Sequence, residues 1–326
     1  ASAGTIDVDS IKNKAEKGDA YSQGVMAGLS RRGIFGVKKD EVKSLKWATH
    51  SAVQNNPIGI YNLAVIYDCG IGVKKEPKEA LSLYKQALPG LLKLAEEGDM
   101  MAQYDAAYIY LKGKGAGEDP VKALNLIRKS AEQGYPPAEY SMGYFYMKGM
   151  GEELERDSKK ALEWLHKAAD QEDARAQLCL AGIYCRGDGV ERDVLKAYKW
   201  ARRAADHGDT DAESMLGAMF LNGIGTDKNF FTARKYLELA ANKGDATAQC
   251  NLGVMYYKGE GVKKDYKKAY ELIFKSAEQN NALGQYYLGL LYENGDGVEK
   301  NYPKAMMLYK LSASQNCKLA LDKLEK

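Results

Sequence analysis

One eighteen-residue pattern recurs along this chain and constrains its fold more than any other feature. AQCNLGVMYYKGEGVKKD begins at Ala248 and AESMLGAMFLNGIGTDKN at Ala212. Further copies begin at Ala176, Ala138, Ala102 and Gly284, with another at Gly59 and a divergent one at Ser22. The spacing is close to 36 residues, apart from 43 between Gly59 and Ala102 and 38 between Ala138 and Ala176. A period of this length, sustained over nearly the whole chain, implies an array in which each unit buries its apolar face against its neighbours. It also settles the reading of the Gly-x-Gly at Gly259–Gly261. A nucleotide loop is needed once, follows a strand and carries Gly-Lys-Ser/Thr. Here the motif returns in nearly every unit, so it is a structural turn.

Each unit reads as two helices. Ala248, Leu252, Met255 and Gly259 fall on one helical face, with Tyr256 beside it. Gly253 occupies a slot filled elsewhere by Ala64, Ala107, Gly143, Ala181, Gly217 and Gly289, where a small residue lets a second helix approach. Gly259 is placed to end the first helix in the left-handed region, and Gly261 and Val262 complete the turn. Asp265 suits the N-cap of a second helix over 266–279, whose stripe is Ala269, Leu272, Ile273, Ser276 and Ala277. No strand is expected. The long spacing carries about seven extra residues near Leu88-Pro89-Gly90, about two helical turns. Pro89 and Gly90 are expected to kink or break the helix there. The 38-residue spacing lengthens a turn into an exposed acidic loop over 151–155. Residues 1–21 and 318–326 read as caps on an array spanning 22–317.

The run Ala-x-x-x-Leu-Gly-x-x-Tyr-x-x-Gly-x-Gly-Val-x-x-Asp, carried by Ala248, Leu252, Gly253, Tyr256, Gly259, Gly261, Val262 and Asp265 and followed by Ala269, resembles the Sel-1-like repeat. The resemblance covers residues 20–326. It departs in the first copy, where Ser30 replaces the tyrosine and the turn gains a residue. The unit-by-unit disulfides of some secreted relatives are absent, because the cysteines occupy other slots. The resemblance implies an all-α, right-handed α/α superhelical solenoid related to tetratricopeptide repeats. It implies protein binding as an adaptor or scaffold, or an inhibitor or immunity-type role against a secreted toxin. It implies no catalytic residues.

Five slots of the first helix are left free by the pattern: 3, 4, 7, 10 and 11, counted from the starting residue. They share one arc and are expected to line a concave groove. The candidate partner-binding residues are Tyr104, Tyr108, Lys112, Tyr140, Tyr144, Met147 and Lys148, then Arg186, Met215, Tyr257, Lys258 and Tyr287. Tyr, Met and Arg are common at binding hot spots and adaptable surfaces. The slot-3 tyrosines, Tyr104, Tyr140 and Tyr286, also fit a role packing between neighbouring helices.

Other chemistry finds no foothold. Lys and Arg total 47 against 44 Asp and Glu, a net charge of +3. That is too small to favour nucleic acid, and slot 4 (Asn62, Asp105, Ser141, Cys179, Met215, Asn251, Tyr287) is too mixed for a base-reading helical repeat. His50, His166 and His207 lie on or near second helices of different units, with no metalloprotease or triad pattern. Trp47, Trp164 and Trp200 read as core, and the Lys38-Lys39, Lys74-Lys75 and Lys263-Lys264 pairs as a solvated edge. Cys69, Cys179, Cys185, Cys250 and Cys317 have no metal-ligand spacing. No cofactor or metal is expected, and no apolar run reaches membrane-spanning length. The opening Ala1-Ser2-Ala3-Gly4 fits a mature end after signal cleavage, hence a periplasmic or secreted protein, as well as it fits a cytoplasmic one.

Overall fold

The computed structural model describes residues 6–325, so the opening Ala1–Gly4 lies outside it. Among the described residues there are eighteen α-helices and no strand. The first helices of the repeats are α2 (Ala20–Arg32), α4 (Pro57–Cys69), α6 (Met100–Lys112), α8 (Pro136–Lys148), α10 (Ala174–Arg186), α12 (Thr210–Asn222), α14 (Ala246–Lys258) and α16 (Ala282–Asn294). Their partners are α3 (Glu41–Val53), α5 (Pro77–Glu96), α7 (Pro120–Glu132), α9 (Ser158–Asp170), α11 (Val194–Asp206), α13 (Phe230–Asn242), α15 (Tyr266–Glu278) and α17 (Tyr302–Ala313). α1 (Val8–Glu16) precedes the array and α18 (Lys318–Leu324) follows it. The result is an α/α solenoid. Two compact units divide it, residues 1–177 and 178–326.

The turn chemistry does what the pattern requires. Gly259 stands at φ 75° and its N–H donates to Met255 O, while Glu260 N donates to the same carbonyl. Gly261, at φ 68°, abuts the previous repeat: an added Cβ would lie 2.3 Å from Phe230 Cβ. Asp265 then caps α15 by accepting from Lys268 N at 3.0 Å. The small slot also works as expected. A Cβ at Gly253 would meet Ile273 Cγ1 at 2.6 Å, and one at Gly217 would meet Leu237 at 2.6 Å. The two helices of a repeat therefore touch backbone to side chain, and the buried Leu, Ile and Ala rows fill the seam.

One expectation needs correcting. α5 runs unbroken through Pro89 for 20 residues, where the other second helices have 12 or 13. The insertion adds two whole turns, so Tyr84, Ala87, Leu91 and Ala95 stay on one buried face and that packing holds the helix across the proline. Gly90 earns its place differently: a Cβ there would lie 2.8 Å from Pro57. The 151–155 loop is exposed as expected except at Leu154, which turns in and whose carbonyl accepts from Met150 N.

A buried polar ladder reinforces the seams. Slot 2 accepts a hydrogen bond from the end of the same repeat's second helix: Gln54 to Gln23, Gln133 to Gln103, Gln279 to Gln249 and Gln315 to Gln285, all at 2.8–2.9 Å. In two repeats the pairing is charged on one or both sides, with Gln171 donating to Glu139 and Lys243 to Glu213. Beside it, Ser51, Ser130, Ser276 and Ser312 each donate at 2.6 Å to the carbonyl opening their own repeat's first helix.

Candidate interaction face

The free slots sit on the first helices, so their side chains form one face in each unit. In residues 1–177 the face is aromatic. Tyr104 and Tyr108 are half-buried. Tyr104 meets Tyr135 edge-on at 5.5 Å, and Tyr108 meets Tyr61 at 6.2 Å and Tyr84 at 6.3 Å. Tyr140 lies 6.3 Å from Tyr144 and under the Arg175 guanidinium at 4.7 Å. Tyr144 is 41% exposed. Met147 is half-buried beyond it, and Lys112 and Lys148 are exposed. The structure thus brings Tyr104 and Tyr108 together on α6, and Tyr140, Tyr144, Met147 and Lys148 on α8.

Residues 178–326 carry the rest. Arg186 and Met215 line a cavity of about 330 Å³ with Leu178, Cys179, Gly182, Cys185 and Asp211. Arg186 pairs with Asp188 at 2.7 Å. Tyr257 and Tyr287 are half-buried, 6.4 Å apart, and Lys258 beside Tyr257 is exposed. The Tyr257 hydroxyl accepts from Asn294 at 3.4 Å. Tyr286 packs on Tyr287 at 5.3 Å and on Tyr309 at 5.7 Å. The cysteines form no disulfide, and burial pushes the Cys250 thiol up to about 12.

The face is less open than the five-slot reading anticipates. Asn62 and Asp105, both in slot 4, are fully buried, and Cys250 in slot 3 and Val254 in slot 7 are buried as well. In the first unit the reason is the end of α2. Arg31 Nε donates to Asn62 Oδ1 at 3.1 Å, and Arg32 Nη2 donates to Asp105 Oδ1 at 2.6 Å, spanning from the first repeat to the third. Arg32 lies 5.6 Å from the Tyr104 ring and 5.9 Å from the Tyr135 ring. Phe35 stacks on Tyr135 at 6.3 Å, just before α8. Arg31, Arg32 and Tyr135 are not among the candidate residues that the slots predict. The available signal was the Arg31-Arg32 doublet in slots 10 and 11 of the divergent first copy.

Burial pushes the Asp105 carboxyl above the usual carboxylate range, against the pull of Arg32 and Arg31. Burial, and then Arg32, lowers the Arg31 guanidinium. Among the described residues no three His, Cys, Asp or Glu side chains gather as metal ligands. None of the described helices is long and apolar enough to cross a membrane.

The Sel1 repeat family model matches eight successive segments: 20–54, 57–88, 101–135, 136–173, 174–209, 210–245, 246–281 and 282–317. Among solved structures, the chain is similar to c5321, a protective antigen present in uropathogenic Escherichia coli strains that displays an SLR fold. The identity is 33% and the TM-score 0.61, over 97% of this chain and 66% of the antigen, so the chain spans just under two thirds of that protein's length. It is also similar to a Sel1 repeat protein from Oxalobacter formigenes, at 30% identity and a TM-score of 0.58, over 97% of this chain and 89% of that one.

Proposed function

This chain belongs to the Sel1 repeat family, whose scaffolds are typical of protein–protein interaction, and from that premise we propose that it is a non-catalytic adaptor. It binds a partner protein or peptide along the first-helix face. The observation that carries this reading is the row of half-exposed tyrosines, with Met147, Lys112 and Lys148 beside them. Stacked tyrosines offer large, rigid contact area at little cost in side-chain entropy, and their hydroxyls still reach water or a partner. The reach of Arg32 and Phe35 across three repeats supports a strongly curved inner face in the first unit.

The test is capture of a partner from the source cell, then titration of the purified pair with wild type and a Tyr144→Ala/Met147→Ala variant. Tyr144 is exposed and Met147 only half-buried on α8, so the fold, checked by circular dichroism, is expected to hold. Losing two anchors at a hot spot weakens binding by about 2–4 kcal/mol. Equal affinity for both proteins removes the face from consideration.

A further inference from the structure

Three departures from regularity meet at one place in the first unit. The first is in the sequence: the opening repeat puts Arg31 and Arg32 at the end of α2, with Gly28 one turn earlier. The second is in the backbone. Phe35, in the turn with the extra residue, stands at φ 54°, a region that a bulky side chain rarely adopts. The third is in the polar pairing. Among the described residues five buried side-chain polar atoms lack a hydrogen-bond partner, and four belong here: Arg31 Nη2, Arg32 Nη1, Asp105 Oδ2 and Tyr135 OH. Native proteins pair nearly all such atoms, and each exception calls for a cause.

The charge is unbalanced as well. Arg31 and Arg32 face one carboxylate, Asp105, whose side chain is fully buried, while that of Arg32 is only 9% exposed. The nearby Lys114 and Asp68 already pair with each other. The other side chains at the cluster, Asn62, Tyr61, Tyr104 and Tyr135, carry no carboxylate; Asp99, whose charge reaches Asp105, is the N-cap of α6 and accepts from the Tyr21 hydroxyl and Ala102 N. Within the cluster itself one positive charge is left over, with guanidinium N–H groups unused on both arginines. Arg31 and Tyr104 are half-buried, so the cluster lies one side chain below the surface. Arg31 is held by a single hydrogen bond, to Asn62.

We infer that Arg31 and Arg32 form a subsite for a carboxylate group of a partner polypeptide, either an acidic side chain or a chain terminus. A carboxylate supplies the missing charge and accepts from both guanidinium forks. A phosphate monoester would bring a second negative charge against the Asp105 carboxylate. The second unit holds a natural comparison. Arg186 folds back over Gly182 as Arg32 does over Gly28, since an added Cβ would meet the guanidinium at 3.2 Å and 2.9 Å respectively. Arg186, however, is 62% exposed and paired with Asp188, so it lacks the buried, unpaired donors. That the partner is a polypeptide rests on the function proposed above; the carboxylate chemistry rests on the cluster alone.

The test uses the full chain with ¹⁵N-labelled arginine and follows the Nε–H resonances of Arg31 and Arg32. Four probes are titrated at constant ionic strength: acetyl-Ala-Glu-Ala-amide, acetyl-Ala-Ala-Ala with a free terminus, acetyl-Ala-Gln-Ala-amide and inorganic phosphate. Saturable shifts of both arginines are expected with one or both carboxylate probes, and the responding probe identifies side chain or terminus as the source. Arg31→Gln weakens the response of Arg32 at least tenfold, and Arg186→Gln leaves it unchanged. Arg31 is the side chain replaced because removing Arg32 would strand Asp105. Arg31→Lys, which keeps the charge but loses the fork, retains a weaker response. The inference is overturned if neither carboxylate probe moves the two resonances, if the Gln peptide moves them equally, or if phosphate saturates them at lower concentration. None of these readouts involves Tyr144 or a captured partner, so this subsite and the tyrosine face stand or fall separately.

Discussion

Replacing Glu139 by Gln makes the protein more stable above neutrality and removes part of its pH dependence. Glu139 sits in slot 2 of the fourth repeat, only 4% exposed, and accepts from Gln171 at 2.8 Å. Burial raises its carboxyl from 4.5 to about 7, with Gln171 and Lys167 opposing. A carboxyl whose folded pKa lies above its unfolded one takes up a proton on folding between those values. Its contribution is therefore most favourable below about pH 4.5 and is lost as pH rises through about 7. Each pKa unit corresponds to about 1.4 kcal/mol, an upper bound near 3 kcal/mol. Screening at this seam brings the expected effect to about 1–2 kcal/mol. The Gln side chain restores the neutral pair seen at Gln103–Gln133 and Gln249–Gln279. Its amide can donate to the Ala131 carbonyl, as Gln103 does to Ala95 and Gln249 to Ala241. Urea unfolding by circular dichroism at pH 5, 6, 7 and 8 provides the assay. Because repeat arrays need not unfold in two states, the informative quantity is the difference between wild type and variant at each pH. The curves are expected to lie close together at pH 5 and to separate progressively to pH 8, the variant being the more stable. A variant that parallels wild type throughout, or falls below it at pH 8, refutes the assignment of a buried, proton-binding Glu139.

Two further substitutions test the packing. Gly217→Ala forces a Cβ to within 2.6 Å of Leu237 between α12 and α13, and overpacking of this kind destabilises by about 1–3 kcal/mol in urea unfolding. No loss would mean that the two helices part freely there. Pro89→Ala restores a backbone N–H inside α5 and relieves the ring's clash with the preceding turn. An interior proline costs about 3 kcal/mol, so a gain of about 1–3 kcal/mol is expected, and a neutral or destabilised variant would show that α5 is built around its proline.

The helices, the turn glycines, the small slot and the Asp caps were legible because each is a local requirement repeated in every unit. A left-handed residue at Gly259 and a missing Cβ at Gly253 leave the same mark wherever the turn and the close approach recur. The slot-2 ladder was not legible. Gln103 and Gln133 are 30 residues apart, and one sits in what reads as a polar turn. Only the closing of the two helices onto each other reveals that the amide is buried and must be paired. Pro89 misled for a similar reason: local propensity predicts a break, and the burial of Tyr84, Ala87, Leu91 and Ala95 overrides it. On the candidate face, helical geometry places Tyr140, Tyr144, Met147 and Lys148 on α8, where the Tyr140 and Tyr144 rings lie 6.3 Å apart. It carries no sign that Arg31 and Arg32 reach the second and third repeats, because a slot is a position within one repeat and these contacts cross repeats.

Slots 7 and 11 are one turn apart, and their combination decides what the face presents. In the first and fifth repeats slot 7 is Gly28 or Gly182, and the slot-11 arginine folds back over the bare backbone. In the third and fourth repeats slot 7 is Tyr108 or Tyr144, the space is filled, and Lys112 and Lys148 stand in solvent. A glycine within a helix weakens it by about 1 kcal/mol relative to alanine, and neither Gly28 nor Gly182 is repaid by a close-packed second helix, as Gly217 and Gly253 are. What each gains is room for a guanidinium on the bare backbone, and at Gly28 also for Met101 Cε and Asn62 Nδ2, which an added Cβ would meet at 3.1 and 3.4 Å. In the second unit that guanidinium remains at the surface. In the first it is carried under the tyrosines with its charge only half answered, at the end of the face where the second arginine and the left-handed Phe35 also depart from the pattern. A repeat spreads its structural requirements evenly over every copy, so residues that cost stability in one copy alone point to a demand from outside the fold. At the Arg31-Arg32 doublet, which no other copy carries, that demand has a sign and a shape: one negative charge, planar, entering from the tyrosine side.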